Sequence, residues 1–488
     1  MMTVRLSKSR YLAGIQCPKR LYLEIHAREL AGEIDEGTQA VLDAGTRVGA
    51  LARERYPGGV LVDVEYFKVA EGLERTTALL ADPGIPAIYE GFIQFDGVIV
   101  RPDILVRARG DRWRLIEVKS TSRVKDEHLD DLAIQAYVLT GVGLTLDATC
   151  LMHINTAYLY PGGTLDLGQL FQEQDLTREV ADRQTQTPNR LAAMRQILAA
   201  PAAPAVEPDD HCQDPYECPF WDHCTQDKPA RWVYYLPGGR QAYRDLVALG
   251  VQTIDEIPLG FPLALLQRRV QENVEWVGPG LRAALDTLQY PVHHLDFETL
   301  GSAIPLYPNT RPYQAIPFQW SNHIEATDGE LRHEAYLCPA ERDPRQELAV
   351  ALLKTLGKKG SICTYTGYER GVLTSLAEAL PLLRRDLLRV CDRLWDLHPI
   401  IKEHYYHPGF EGSFSIKAVL PAVVPRLAYD DLEIQEGSMA SRQYFRMMFE
   451  TEDEAEKARI QTALLKYCER DTLAMVELRK ALLAKVHR

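Results

Sequence analysis

Residues 88–120 read IYEGFIQFDGVIVRPDILVRARGDRWRLIEVKS, and residues 125–139 continue KDEHLDDLAIQAYVL. Two β-forming runs flank the turn-rich ARGDR, so the stretch reads as a hairpin, with Asp103 in its first arm and Glu117 and Lys119 in its second. Side chains of a strand alternate between faces, which sends Glu117 and Lys119 to one side and Val118 toward the core. Carboxylates on adjacent strands supply hard oxygen ligands for one or two divalent cations, Mg2+ or Mn2+. A bound metal acidifies a water, and the Lys119 ammonium can steady that nucleophile or the charge building on a reacting phosphate. Gln135 and Tyr137 follow on a helix-forming run, placed to position this set or the strand backbone.

Asp, Glu-x-Lys and Gln-x-Tyr in this order resemble the RecB-like branch of the PD-(D/E)XK nuclease superfamily. The resemblance implies a restriction-endonuclease-like α/β domain in which Asp103, Glu117, Lys119, Gln135 and Tyr137 are catalytic and Asp103 and Glu117 hold metal. One position departs. Where the branch places a His or Glu ligand on an upstream helix, GTRVGALARE has Gly49, and Glu90 on the preceding strand is the expected substitute ligand.

Nine cysteines without an apolar leader or a long apolar run point to a soluble chain of a reducing, cytoplasmic compartment, with no membrane association. Cys212, Cys218 and Cys224 crowd HCQDPYECPFWDHC, and Cys17 stands alone in SRYLAGIQCPKRLYL. This one-plus-three arrangement resembles the iron–sulfur staple of CRISPR-associated RecB-like exonucleases and of the AddB helicase–nuclease, which implies a [4Fe-4S] cluster on the four thiolates. Tetrahedral zinc is the alternative for four thiolates. Tying Cys17 to Cys212 would constrain most of the first domain, by analogy with a disulfide worth roughly 5 kcal/mol. The other five cysteines sit in apolar segments and read as core.

A second acidic set lies downstream. YPVHHLDFETL puts Asp296 and Glu298 two apart on a strand, hence on one face. Glu369 opens a helix after the apolar strand of SICTYTGYERGVL. In the last helix the apolar stripe Ile460, Leu464, Tyr467, Ala474, Leu478, Leu482 is interrupted by Asp471. A buried, unpaired carboxylate costs several kcal/mol or stays protonated, and a metal shared with Asp296 and Glu298 removes that conflict. Tyr467 precedes Asp471 by one helical turn, on the same face. The set resembles the DEDD 3′–5′ exonucleases of the ribonuclease H-like fold, tyrosine subtype, which implies metal on Asp296, Glu298, Glu369 and Asp471, with Tyr467 orienting the attacking water. Glu369 stands where that family has Asp, and Asp396 in RLWDLHPI competes for its role.

Three regions result: residues 1–230, the RecB-like domain with its four cysteines; 231–288, a helical connector that is either plain or helix-hairpin-helix-like; and 289–488, the ribonuclease H-like domain. With 55 Lys and Arg against 68 acids, the net charge is −13. Binding of nucleic acid would then depend on local basic strips: Lys8, Arg10, Lys19 and Arg20; Arg101; Arg123 and Lys125; Arg384, Arg385, Arg389 and Arg393. Tyr11, Tyr22, Tyr216, Phe220 and Trp221 either stack unpaired bases or pack around the cysteines. Together the resemblances imply a Mg2+- or Mn2+-dependent deoxyribonuclease acting on single-stranded or end-containing DNA in repair, recombination or defence, with a helicase or repair protein as a partner. An end-binding module with one or both centres inactive, and an RNA-directed exonuclease, are the alternatives.

Overall fold

A computed structural model describes residues 5–33 and 36–486, the side chain of Glu36 excepted. The chain is a mixed α/β protein of two units, Met1–Asp227 with Ser302–Tyr313, and Lys228–Gly301 with Gln314–Arg488.

The strands of the first unit are β1 (Leu6–Ser7), β2 (Val60–Leu61), β3 (Ala87–Tyr89), β4 (Ile93–Phe95), β5 (Val98–Val100), β6 (Ile104–Arg107), β7 (Trp113–Lys119), β8 (Leu146–Ile154) and β9 (Phe171–Asp175). Its helices are α1 (Lys8–Gln16), α2 (Pro18–His26), α3 (Glu36–Arg53), α4 (Val69–Ala81), α5 (Asp126–Gly141), α6 (Leu167–Leu170), α7 (Thr177–Gln184), α8 (Thr187–Ala199) and α9 (Trp221–Thr225). Six strands form one sheet in the order β2-β3-β6-β7-β8-β9, and β1-β5-β4 form a smaller one. The quoted hairpin is β6–β7, antiparallel. Gly110 and Asp111 turn it with positive φ. Asp103 falls one residue ahead of β6.

Both faces of the large sheet are covered, which is why Leu115 and Ile116 of β7 and Cys150, Leu151 and Met152 of β8 are buried in succession. Leu105, Leu115 and Leu151 pack against Leu132, Ala133 and Ala136 of α5. On the other face Ile104, Ile116, Cys150 and Met152 meet Val48 and Ala52 of α3. Val118 packs half-buried in that second core, whereas Glu117 shares the α5 face with Leu115 and is itself buried. Residues 302–313 join the second core through Ala303 and Ile304.

In the second unit the strands are β10 (Trp276–Val277), β11 (Val292–Leu300), β12 (Ile316–Glu325), β13 (Leu331–Leu337), β14 (Ile362–Thr364), β15 (Leu394–Asp396) and β16 (Tyr405–Tyr406). The helices are α10 (Arg240–Ala248), α11 (Leu265–Glu272), α12 (Leu281–Leu285), α13 (Arg345–Leu356), α14 (Tyr368–Ala379), α15 (Arg384–Cys391), α16 (Leu397–His404), α17 (Ile416–Val423), α18 (Gly437–Phe449) and α19 (Glu454–Lys485). The sheet runs β13-β12-β11-β14-β15. β11 is antiparallel to β12 and parallel to β14. Leu295, Phe297 and Trp320 pack on α13, α14 and α15. The opposite face meets α19, where Gln319 Nε2 donates to Leu464 O at 2.8 Å and Ser321 and Thr472 hydroxyls lie 2.8 Å apart. All ten residues of β12 are buried accordingly. Residues 231–288, expected as a connector, carry α10–α12 and fold with this second unit. Among the described residues, no helix is long and apolar enough to cross a membrane.

Candidate active sites

In the first unit, Glu117 leaves β7 on the face that α5 covers and gathers three donors. Lys119 Nζ and Lys8 Nζ each donate to Glu117 Oε1 at 2.7 Å. Gln135 Nε2 donates to Glu117 Oε2 and to Asp131 Oδ1, both at 2.8 Å. Lys119 also donates to Asp131 Oδ2 at 2.7 Å, and Lys8 lies 3.1 Å from Asp131 Oδ1. Burial works against the Asp131 anion, yet Lys8 and Lys119 outweigh it and hold that carboxyl below its usual range. Asp103 behaves oppositely. It accepts the Val118 amide at 2.7 Å, and burial followed by the Glu117 charge pushes it up to about 8. Glu90 adopts a left-handed φ of 54° and stands 3.7 Å from Arg101 Nη2. Its carboxyl is raised by burial and by Glu117.

Asp103, Glu117, Lys119 and Gln135 therefore converge, with Glu90 beside them. Tyr137 does not join: its hydroxyl donates to Asp96 at 3.0 Å and its ring packs edge-on against Phe95. The reason lies in the helix, since residues two apart point in different directions. Sequence reasoning missed Asp131 as a member of the set and treated Lys8 only as part of a basic strip. Asp131 precedes Gln135 by four residues and so shares its face of α5, a signal that was there to read.

In the second unit β11 turns Asp296 and Glu298 toward α19. A cavity of about 370 Å³ is lined by both, by Asp471 and Tyr467 of α19, by Tyr368 and by Lys417. Burial and then Asp471 push Asp296 up to about 8. Burial and Asp296 hold Glu298 and Glu369 well above the ordinary carboxylate range. Burial lifts Asp471 to about 6 against the pull of Tyr429 and Lys417. Tyr429 donates to Asp471 Oδ1 at 2.5 Å, and its ring lies 6.2 Å from that of Tyr467. Glu369, the second residue of α14, is buried with its Oε2 unpartnered.

Asp396 is used elsewhere: it accepts the amides of Thr366 and His398, at 2.9 and 3.0 Å, and so pins the loop ahead of Glu369. Cys468, expected as ordinary core, is buried but lies against the acids, its Sγ 3.6 Å from Asp296 Oδ2. Asp296, Glu298 and Cys468 offer ligand atoms all within 4.8 Å of one another, the one such group among the described residues. Lys417 and Tyr429 went unread because they stand on stretches that hold no other site residue.

Cys17, Cys212, Cys218 and Cys224 line one recess together with Lys19, Arg20 and Phe220. Burial raises the Cys218 thiol to about 11 and raises Cys212 as well. No three of these sulfurs fall within 4.8 Å of one another. Of the aromatic residues expected to stack bases or pack here, Phe220 belongs to the apolar cluster around the cysteines and Tyr11 to the core on the α5 face, so neither is free to stack. Arg393 is spoken for by the carbonyls of Gly360, Gly357 and Leu356, whereas Arg384, Arg385 and Arg123 are exposed.

A family described as a domain of unknown function, DUF2779, matches residues 293–415, which include Asp296, Glu298 and Glu369. No curated protein matches this chain. Among solved structures, a crystal structure of SSO0001 matches with 13% identity and a TM-score of 0.19, covering 42% of this chain and 89% of that one.

Proposed function

We propose that this protein is a metal-dependent nuclease that hydrolyses phosphodiester bonds of single-stranded or end-containing DNA, with one centre in each unit. The observation that carries the reading is the second-unit cluster: four carboxyls from β11, α14 and α19, each displaced toward its neutral form, with Glu369 Oε2 unpartnered. Such a set is electrostatically unfavourable alone and fits divalent cations bound through oxygen. Bound Mg2+ or Mn2+ would supply an acidified water and neutralise charge at the phosphate. Asp296, Glu298, Glu369 and Asp471 would hold it, Tyr429 fixes the Asp471 carboxylate by its hydrogen bond, and Tyr467 borders the cavity where a water would be oriented.

The finer folds belong to the same proposal. The strand order β13-β12-β11-β14-β15, with helices on both faces, supports a ribonuclease H-like exonuclease of the DEDD type. The antiparallel hairpin carrying Glu117 and Lys119, backed by α5, supports a RecB-like PD-(D/E)XK unit. Four cysteines on one recess support a metal-bound thiolate set. The one-plus-three spacing in the sequence, which resembles that of RecB-like iron–sulfur nucleases, favours a [4Fe-4S] core over zinc, with Lys19 and Arg20 lining the same recess.

The test is digestion of end-labelled single-stranded and recessed DNA, and of matched RNA, with Mn2+, with Mg2+ and with chelator. Asp103→Asn and Asp471→Asn should each remove one divalent-dependent component, and the double variant both. Absence of cleavage by the native protein on every substrate would end the reading, and preference for RNA would redirect it. A second reading applies to the first unit alone. Lys8 and Lys119 already neutralise Glu117 and Asp131 there, which favours an end-binding role without hydrolysis. Mn2+ titration of the Asp471→Asn variant separates the two, since an active first centre must still bind metal.

A further inference from the structure

A cavity walled by carboxylates repels the polyanion it is proposed to cut, and one side chain on its wall is suited to offset that repulsion. Lys417, the second residue of α17, is the one cation among the residues lining the cavity. It is exposed and has no ion pair or hydrogen bond among the described residues. Its ammonium stands 6.0 Å from the ring centroids of both Tyr429 and Tyr467. It therefore lies over the tyrosine that holds Asp471 and the one proposed to orient water. Its charge reaches the acids, favouring the anionic forms of Asp471 and Glu298. Three basic side chains of the neighbouring segments are engaged elsewhere: Arg470 pairs with Asp431, Arg442 with Glu450 and Arg426 with Glu477.

We infer that Lys417 is the phosphate-binding residue of the second centre, contacting a non-bridging oxygen of the phosphodiester to be cleaved. This rests on the nuclease reading and adds to it a residue that no acidic motif contains. A lysine fits the task as a compact point charge on a flexible stem, able to follow the oxygen as charge develops on it. The free position of the ammonium matters physically. A cation locked in a salt bridge would have to break that bridge before meeting substrate, and Lys417 has none to break.

The experiment compares Lys417→Met and Lys417→Arg with the native chain, all in the Asp103→Asn background so that only the second centre cuts. The substrate is a labelled oligothymidylate with Mn2+. A charge-assisted contact to phosphate predicts a loss in kcat/KM of about 10- to 100-fold for Lys417→Met, with Lys417→Arg recovering most of it. The salt dependence should become shallower, the slope of log kcat/KM against log salt falling by about 0.7 for one lost contact to a single strand. Mn2+ affinity, read by calorimetry without oligonucleotide, should be equal or tighter in Lys417→Met because a nearby positive charge is gone. A merely structural lysine would instead lower thermal stability and Mn2+ affinity together and leave the salt slope alone, which overturns the inference. Equal kcat/KM for Lys417→Met and the native residue overturns it too. If the native protein cuts nothing, the function itself fails. Oligothymidylate binding by anisotropy, unchanged in Lys417→Met, would then independently dispose of the phosphate contact.

Discussion

Asp103 and Asp296, each lifted to about 8, make the metal-free chain a protein whose stability runs the unusual way with pH. An unfolded aspartate titrates near 3.9, roughly. Between that pH and about 8 the folded chain holds more protons than the unfolded one, so stability falls as pH rises through the window. In chelator, the melting temperature should be lower at about pH 8.5 than at about pH 6. Saturating Mn2+ should raise it, and by more at the higher pH, because ligand carboxylates must shed protons to bind. Scanning calorimetry at both pH values decides the matter: a Mn2+ increment independent of pH, or one that persists in the Asp103→Asn, Asp296→Asn double variant, contradicts it. The individual acids were legible because their residue types interrupt regular patterns, Asp471 in an apolar stripe and Glu117 beside Lys119 in a strand. Lys8 was not legible as a ligand of Glu117, since 109 residues separate them and only the fold joins them. Tyr137 was misread for a local reason, its two-residue offset from Gln135, and that error needed no structure to avoid.

At the scale of elements, the clearest signals were the longest. The helix carrying Tyr467 and Asp471 and the strand carrying Asp296 and Glu298 follow directly from periods of 3.6 and 2. Short pieces such as β1, β2 and β16, two residues each, carry too few side chains for any period and were invisible. The cysteine recess falls between these cases: the spacing led to the expectation of a shared ligand, and α2, α9 and the turn at Cys212 set the four cysteines along one recess. Anaerobically purified protein should show a broad visible band near about 400 nm with stoichiometric iron. Cys218→Ser should lose both. Because the thiols span the ends of the first unit, Cys17→Ser should also depress its melting by roughly 5–10 °C. Zinc in place of iron, with no visible band, would reassign the recess to a tetrahedral centre. Full native stability in Cys17→Ser would remove the staple altogether.

The molecule as a whole is not two successive halves of one string. Residues 302–313, SAIPLYPNTRPY, come between β11 and β12 in sequence yet fold with the first unit. Its three prolines and lack of a hydrophobic period give no local signal, and the expected boundaries placed it in residues 289–488, so its destination was hidden from any local pattern. In the first unit it does definite work. Ala303 is buried in the core beneath β7, Tyr160 N donates to Thr310 O at 3.0 Å, and Asn309 N donates to Tyr160 O at 2.7 Å. Arg311 donates to the carbonyl of Ala157, and the Tyr313 hydroxyl to that of Ser120. Ser120 follows Lys119 directly, so the strap fixes the strand end from which Lys119 reaches Glu117 and Asp131. Small displacements of a catalytic group are expensive, and a misplacement of about 1 Å can cost up to about 100-fold in rate. In the full chain, exchanging residues 303–311 for Gly and Ser of equal length should therefore speed hydrogen exchange at Tyr160, whose acceptor carbonyl at position 310 is no longer held in place by the packing of the strap, and around Thr121. In the Asp471→Asn background the same exchange should slow first-centre cleavage roughly tenfold. Tyr313→Phe, which deletes only the hydroxyl over Ser120, should reproduce a part of the rate loss while leaving Tyr160 protected. If the Gly/Ser chain exchanges and cuts at native rates, the strap is a passenger and Lys119 is positioned by its own sheet alone.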